Sequence, residues 1–205
     1  MSGARQASTG RGRQQRGRET EQLLLEAAVT ALVEHGYAGA STVRIQQIAG
    51  VSRGRLLHHF PSRERLLVAA VRHLAERRLL EHPTELPPDL DPAARVDATV
   101  AAMWATYHSG VFWASAELWL AARHSPELRR SLLPSERELG ATLAASCARL
   151  FGDLADHPAY PGLYELLNTS MRGTAMTYAF NERDPAHEPA LATWQRIARE
   201  TLLEA

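Results

Sequence analysis

Residues that start and stop helices follow one another at short intervals between Ser41 and Ser62, and this spacing constrains the fold more than any other feature. Ser41 is a favourable N-cap residue, and Gly50 suits the left-handed end of a helix. Pro61 then ends a second helix that begins near Arg53. The spacing predicts two short helices joined through Gly50, which are the dimensions of a helix-turn-helix.

Helical periodicity continues on both sides of this pair. Apolar residues recur at helical spacing upstream, at Leu24, Ala27, Ala28, Ala31 and Leu32. They predict a first helix from Thr20 to a C-cap at Gly36. Downstream, Ser62 caps a fourth helix that reaches about Leu80. We therefore expect residues 19–80 to form a helix-turn-helix domain with its connecting helix.

Composition extends the helical prediction to the whole chain. The 205 residues include 34 Ala and 28 Leu but only 12 Val and Ile together, which favours helices over sheet. Periodic segments predict five further helices, at about 93–109, 111–124, 126–151, 160–181 and 187–204, and Pro134 could divide the third of them. The predicted fold class is all-α, with a three-helix helix-turn-helix domain joined through a fourth helix to a C-terminal helical bundle.

Two segments lie outside this helical pattern. Residues 1–18 hold five Arg, no acid and almost nothing that could be buried, which predicts a disordered basic arm. Residues 81–92 hold four Pro and four acids, which predicts a linker at the domain boundary. We expect the C-terminal domain to occupy residues 93–205.

The net charge of zero conceals an asymmetry between the two parts of the chain. Residues 1–80 carry 13 Arg and 6 Glu, whereas residues 81–205 carry 10 Arg and 17 acids. Such a difference predicts an anionic partner for the first part alone.

The helix pair has one expected inward face, formed by Ile45, Ile48, Ala49, Val51 and Leu56. Arg53, Arg55, His58 and His59 would then face outward, where Arg can bond guanine in the major groove of double-stranded DNA. A solvated basic face on a generic helical bundle is the alternative interpretation.

The same residues carry a family resemblance. The segments Leu24-Leu25-Glu26-Ala27-Ala28, Gly36-Tyr37, Ile45 to Val51 and Ser52 to Glu64 resemble the DNA-binding domain of the TetR family of transcriptional regulators, over about residues 19–70. The resemblance implies a homodimeric helical repressor whose remaining helices hold a small-molecule effector. By position it implies that Arg53, Gly54, Arg55 and His59 lie on the recognition helix. It also implies phosphate contacts for Ser41, Arg44 and Arg63. Two residues depart from the family pattern: Gln46 replaces a small residue, and Leu57 replaces a frequent Tyr.

Aromatic residues concentrate in the C-terminal half, and five of them fall between Trp104 and Trp119. Large rings at helix ends can frame a cavity for a planar ligand, although core packing would also explain them. The expected pocket residues are Met103, Trp104, Tyr107, Trp113, Glu117, Trp119, Met171, Arg172 and Met176. Glu117 stands out on an apolar helix. If Glu117 is buried, it needs a partner such as Arg172 or Arg123, or a polar group of the ligand. If it is exposed, it has no functional significance.

The last two helices are the expected dimer interface, because small residues such as Gly173 permit close helix crossing. The expected interface residues are Leu163, Leu167, Gly173, Leu191, Trp194 and Ile197. Packing within one chain is the alternative.

No feature of the sequence predicts a cofactor or a metal site. His58 and His59 are adjacent on a helix and point about 100° apart, so they do not readily chelate one ion. Cys147 is the only cysteine, which excludes a disulfide framework. We expect it to act as a small buried apolar side chain and not as a thiol sensor.

No apolar run is long enough to span a membrane, so we expect a cytoplasmic protein.

The leading functional hypothesis is a ligand-responsive DNA-binding repressor that is not an enzyme. Two alternatives remain. A DNA-packaging protein without sequence specificity would explain the basic arm but not the acidic, aromatic half. A helical enzyme would have to use Glu117 or His108 as a general base in the C-terminal cavity, with no nucleophile, cofactor loop or metal set in the sequence. The effector, the operator and the direction of the response are not predicted by the sequence.

Overall fold

The computed structural model describes residues 3–81, 85–181 and 183–203. All regular elements in these residues are helical, so the predicted all-α class is confirmed. Residues 1–2 of the predicted arm, residues 82–84 of the predicted linker and residues 182, 204 and 205 lie outside the described residues. Within the described part of the chain, every helix is too short or too polar to cross a bilayer.

The helices follow the predicted order, and their ends differ from the prediction by a few residues. They are α1 (Gly3–Gly39), α2 (Thr42–Ala49), α3 (Arg53–His59), α4 (Arg63–Glu81), α5 (Pro92–Thr106), α6 (Gly110–Ala122), α7 (Pro126–Phe151), α8 (Tyr160–Thr177) and α9 (Ala190–Leu203). Short 3-10 helices occupy Gly152–Asp156 and Pro185–His187. Pro134 lies inside α7 without dividing it.

The start of α1 differs from the predicted disordered arm. Residues 3–18 are helical and continue without a break into the segment that packs in the core. Once the packed part of a helix has formed, each added residue gains a backbone hydrogen bond at little further cost. Four of these sixteen residues are glycine, a poor helix former, so composition did not predict a helical backbone here.

The described residues divide into two compact units. The first unit comprises residues up to Glu76 together with Trp113–Glu136. It has a continuous apolar core to which α1 contributes Leu24, Ala28 and Leu32, and the helix pair contributes Ile45 and Leu56. Ala114 and Leu118 of α6 and Leu128 and Leu132 of α7 belong to the same core.

This composition of the first unit differs from the predicted domain boundaries, which place all residues after 92 in the C-terminal domain. The apolar surface of α6 explains the difference. The sequence shows that α6 must be buried, but only packing decides against which neighbours. Ala114, Leu118 and Ala122 are buried in the core of the first unit, so α6 belongs to the unit that carries α2 and α3.

The second unit comprises residues Arg77–Phe112 and those from Arg137 onward. In it, α5 packs mainly against α9, and α9 also contacts α8. Arg95 of α5 donates hydrogen bonds to the carbonyl oxygens of Leu150, at 3.2 Å, and Pro87, at 2.6 Å. An ion pair between Asp97 and Arg199 further joins α5 to α9. These contacts position the aromatic residues of the second unit.

Candidate functional sites

Side-chain caps fix both helices of the candidate DNA-binding motif. The Ser41 hydroxyl accepts a hydrogen bond from the Arg44 amide at 3.2 Å and begins α2. Gly50 ends α2 in the left-handed conformation, with φ 66° and ψ 28°. The Ser52 hydroxyl then accepts from the Arg55 amide at 3.4 Å and begins α3. The predicted Ser41 cap and Gly50 helix end are therefore present, and the Ser52 cap is an additional one that was not predicted.

Fewer residues of the helix pair are buried than the sequence predicts. Ile45 and Leu56 are fully buried, and Ala49 and Val51 pack partly buried against the same core. Ile48 was expected to face inward, but 43% of its surface is exposed, so that expectation was wrong. The reason is that α2 has only eight residues, and its contact with the core is made chiefly through Ile45.

The N-terminal turn of α3 is open to solvent. Arg53, Gly54 and Arg55 are exposed, and the space beside the Gly54 α-carbon is empty. His58 is also exposed, whereas His59 is half-buried beside Phe60. Two guanidinium groups therefore lie on the surface that a helix-turn-helix presents to a major groove.

The residues with implied phosphate roles have different surroundings. Ser41 is half-buried, and its hydroxyl already caps α2. Arg44 is exposed and donates to the carbonyl oxygen of Gly39 at 2.7 Å. Arg63 is half-buried: its Nε donates to the carbonyl oxygen of Ala40 at 2.9 Å, and its Nη2 donates to that of Tyr37. Two of its nitrogen atoms thus bond backbone groups, and the phosphate contact that the resemblance implies stays a prediction.

The two departures from the family pattern are both accommodated. Gln46 is half-buried, and its backbone carbonyl accepts from the amide of Val51 at 3.1 Å within the turn. Leu57 exposes 43% of its surface. Neither side chain disturbs the helix pair.

The rings of His58 and His59 are 5.6 Å apart and nearly perpendicular. Among the side chains that the structure describes, no group of three His, Cys, Asp or Glu is arranged to hold a metal ion.

The expected pocket residues fall in different units. Met103, Trp104, Tyr107, Met171, Arg172 and Met176 lie in the second unit, whereas Trp113, Glu117 and Trp119 lie in the first. The carboxylate of Glu117 contacts a backbone group of the first unit. Its Oε2 accepts a hydrogen bond from the backbone amide of Tyr37 at 2.7 Å.

Aromatic rings in the second unit pack against one another. Trp104 is 2% exposed, and its indole nitrogen donates to the carbonyl oxygen of Pro185 at 2.8 Å. The rings around it belong to Tyr107, His108, Tyr178 and Trp194, with centroids 4.8–6.2 Å away. Trp104 is thus a packed core residue of this unit.

Polar groups beside this cluster belong to Tyr107, Asn168 and Arg172. The Tyr107 hydroxyl bonds the side chain of Asn168 and interacts with Arg172. Burial raises the pKa of Tyr107 to about 12, and the nearby Arg172 opposes that rise. The hydroxyl therefore stays protonated at neutral pH and can act as a hydrogen-bond donor.

Several expected dimer residues are buried within one chain. Leu163, Leu167 and Trp194 are no more than 5% exposed, and the Trp194 indole nitrogen donates to the Ser170 hydroxyl at 2.9 Å. Side chains buried inside a single chain are not available to a partner, so these three are corrected to core residues. Leu191 and Ile197 are half-buried, and Gly173 is exposed.

An exposed row on α8 includes only one expected interface residue, Gly173, and its other members were not predicted. Leu166 exposes 53% of its surface, and Gly162, Thr169 and Gly173 lie on the same helix face. The spacing i, i+4, i+7 and i+11 marks a helical face and was the available signal. Leu163, Leu166 and Leu167 are equally apolar, so the type of residue did not show that Leu166 lies on the exposed side.

The similarities to known proteins agree on one family of regulators. Residues 24–70 match the family model described as "Bacterial regulatory proteins, tetR family". The HTH-type transcriptional regulator BetI of Serratia proteamaculans is 30% identical over 169 residues, which cover 77% of this chain and 84% of BetI. The HTH-type transcriptional repressor AcnR of Corynebacterium efficiens is 41% identical over 58 residues, which cover 28% of this chain and 31% of AcnR.

A solved structure shares the fold. A TetR-family transcriptional regulator from Mesorhizobium loti has a TM-score of 0.63 and 20% sequence identity, and the match covers 92% of this chain and 97% of that protein. The likeness therefore extends beyond the matched N-terminal segment to nearly the whole helical chain.

Proposed function

This chain belongs to the TetR family of bacterial regulatory proteins, and we propose on that basis that it is a sequence-specific transcriptional repressor. As a member of the family it is a DNA-binding transcriptional regulator and not an enzyme. The more specific proposal is a homodimer that binds a palindromic operator and leaves it when a small, largely apolar effector binds.

The exposed first turn of α3 is the observation that carries the proposal. Arg53 and Arg55 lie there with no side chain between them at Gly54, so the backbone can approach a groove closely. A guanidinium can donate two hydrogen bonds to guanine O6 and N7, which distinguishes this base pair from the others. Arg53, Gly54, Arg55, His58 and His59 are the proposed base-reading residues, with Ser41 and Arg44 beside the phosphates.

The homodimer is proposed to form through the exposed face of α8 and the neighbouring part of α9. Gly162, Leu166, Thr169 and Gly173 give this face small side chains around one leucine, which favours close crossing of two helices. A twofold dimer would place two recognition helices on half-sites about 34–36 Å apart, or at a multiple of that distance.

The effector is proposed to bind in the second unit. Met103, Met171 and Met176, all in this unit, would supply adaptable apolar surface, while Tyr107 and Arg172 would supply polar groups. Helix α4 begins just after α3 and contributes residues to both units, so an effector that prefers one position of α4 would change operator affinity. Couplings of roughly 1–3 kcal/mol would change that affinity about 5- to 150-fold.

Selection from a random-sequence duplex library tests the proposal. The wild-type protein should enrich a palindromic site and bind it at least about 10³-fold more tightly than random duplex at equal salt. Equal affinity for selected and random duplexes at every salt concentration would instead support the DNA-packaging alternative.

A further inference from the structure

Glu117 of α6 contacts the segment that connects α1 to the helix-turn-helix. Helix α6 is apolar along most of its length, and Glu117 is half-buried on it. Its Oε2 lies 2.7 Å from the backbone nitrogen of Tyr37. Both residues lie in the first unit, 80 positions apart in the chain.

The conformation of Gly36 creates the amide that Glu117 bonds. Gly36 has φ 63° and ψ −179°, so the helical backbone is interrupted there. The amide of Tyr37 consequently begins a new turn, and a partly buried amide without an acceptor costs about 1–3 kcal/mol. A β-carbon at position 36 would lie 3.1 Å from Glu117 Oε2, so glycine also leaves space for the carboxylate.

Tyr37 is in turn bound to the start of α4. The Arg63 guanidinium lies 4.1 Å from the centre of the Tyr37 ring and also donates to the Tyr37 carbonyl oxygen. The same guanidinium donates to Ala40, which immediately precedes the N-cap of α2. Glu117, Tyr37 and Arg63 therefore form one connected set of contacts that reaches the beginnings of α2 and α4.

We propose that Glu117 is a positioning residue for DNA binding: through the Tyr37 amide it fixes the orientation of α2 and α3 relative to α6. It makes no contact with DNA itself. Without the acceptor, Tyr37 and Arg63 are less constrained, and α3 must lose more conformational freedom when it enters a groove. This inference rests on the proposed sequence-specific binding.

Two substitutions of similar size separate the acceptor from packing. Glu117→Met keeps an unbranched side chain of similar length but removes the acceptor, whereas Glu117→Gln keeps a side-chain oxygen. Glu127→Ala, at an exposed position of α7 in the same unit, controls for the loss of one negative charge. The probes are the duplex selected by the wild-type protein and a random duplex.

We expect Glu117→Met to weaken binding to the selected duplex about tenfold and to leave random-duplex affinity and the salt slope unchanged. Glu117→Gln should stay within about threefold of wild type, and Glu127→Ala should match it. Hydrogen exchange at the Tyr37 amide should accelerate in Glu117→Met and remain slow in Glu117→Gln. A failure of the wild-type protein to select any sequence would contradict the proposed function and would show as such before any variant is compared.

Two results would overturn the positioning role. One is wild-type affinity of Glu117→Met for the selected duplex together with fast exchange at Tyr37. The other is an equal loss of affinity for both duplexes, which would mark a general electrostatic or folding effect. If Glu117→Met does not fold, Glu117→Gln decides: fast exchange with unchanged affinity overturns the role, while faster exchange together with weaker binding to the selected duplex supports it.

Discussion

The Arg63 guanidinium stacks on the ring of Tyr37 at 4.1 Å and donates from Nε to the carbonyl oxygen of Ala40 at 2.9 Å. The two partners precede Arg63 by more than twenty positions, so the arginine joins the start of α4 to the end of α1. Its side chain is 22% exposed, which leaves little of it for a partner outside the protein. Arg63 therefore has a structural role that the resemblance did not imply.

Replacing Arg63 should first reduce stability. We expect Arg63→Gln to lower the free energy of unfolding by about 2 kcal/mol, because hydrogen bonds to a charged group contribute about 1.5–3 kcal/mol. Arg65→Gln, at an exposed position two residues later, should change it by less than about 0.5 kcal/mol. Urea denaturation measures both. Unchanged stability with a smaller salt slope of DNA binding would instead restore the phosphate role.

Arg55 should carry base discrimination. Its side chain is exposed in the first turn of α3, so Arg55→Ala should weaken binding to the selected duplex by about 1–3 kcal/mol and relax the preference at one base position. Arg129→Ala, at an exposed position on α7, gives the effect of losing a remote positive charge. Fluorescence anisotropy with selected and random duplexes measures the difference. Equal losses on both duplexes would assign Arg55 to phosphate binding.

Gly36 should not tolerate a side chain. Its φ of 63° is costly for other residues, and the new β-carbon would press on Glu117 Oε2. We expect Gly36→Ala to destabilise the protein by about 1–2 kcal/mol. Gly140→Ala, inside α7 with open space around it, should stabilise by about 0.5–1 kcal/mol because alanine is the better helix former. Thermal unfolding of the two variants shows whether each substitution raises or lowers stability. A higher unfolding temperature for Gly36→Ala would refute the role given to Gly36.

The proposed dimer face predicts that two adjacent leucines on α8 have different roles, one in dimer formation and the other in folding stability. Leu166 is 53% exposed, so Leu166→Glu should give a folded monomer in sedimentation experiments. Leu167 is 1% exposed, so Leu167→Ala should cost about 2–5 kcal/mol of folding free energy through the cavity it leaves. Leu133→Glu, at a 48% exposed position on α7, is the matched control and should not change the oligomeric state. If the Leu166→Glu variant remains a dimer, the interface lies elsewhere.

Cys147 should be unreactive at neutral pH. Burial raises the pKa of its thiol from 9.0 to about 11, so almost none of the nucleophilic thiolate is present near pH 7.5. Alkylation by iodoacetamide should be slow there and should increase toward pH 11 in the folded protein. Rapid alkylation at pH 7.5 would revive the thiol-sensor interpretation.

The same shift predicts a pH dependence of stability. The unfolded chain releases the thiol proton near pH 9 and the folded chain near pH 11, so the folded state binds more protons between these values. The stabilisation is present below about pH 9 and is lost as the pH rises to about 11. Comparison with Cys147→Ala isolates this contribution from that of Tyr107, whose pKa is also raised. Identical pH profiles for the two proteins would contradict the shift.

The sequence by itself determined the features that depend on near neighbours in the chain. Ser41, Gly50 and Ser52 act on backbone groups no more than four positions away, so the ends of α2 and α3 were predictable. The exposed Arg53 and Arg55 followed from those ends. Low burial did not, however, predict the backbone of residues 3–18, because helix can extend from a packed segment.

Only the tertiary structure decided which surfaces meet. The sequence marked α6 as buried, but the packing of Leu118 in the first unit and the bond from the Tyr37 amide to Glu117 depend on residues about 80 positions away. On α8, Leu163, Leu166 and Leu167 are equally apolar, and the rotation of the helix about its axis decides which of them is buried. The contacts with α9 fix that rotation, since Trp194 bonds Ser170 and buries the row beside it. Hydrophobic periodicity shows that a face is buried, whereas its partner is determined by shape and by long-range hydrogen bonds that no local pattern encodes.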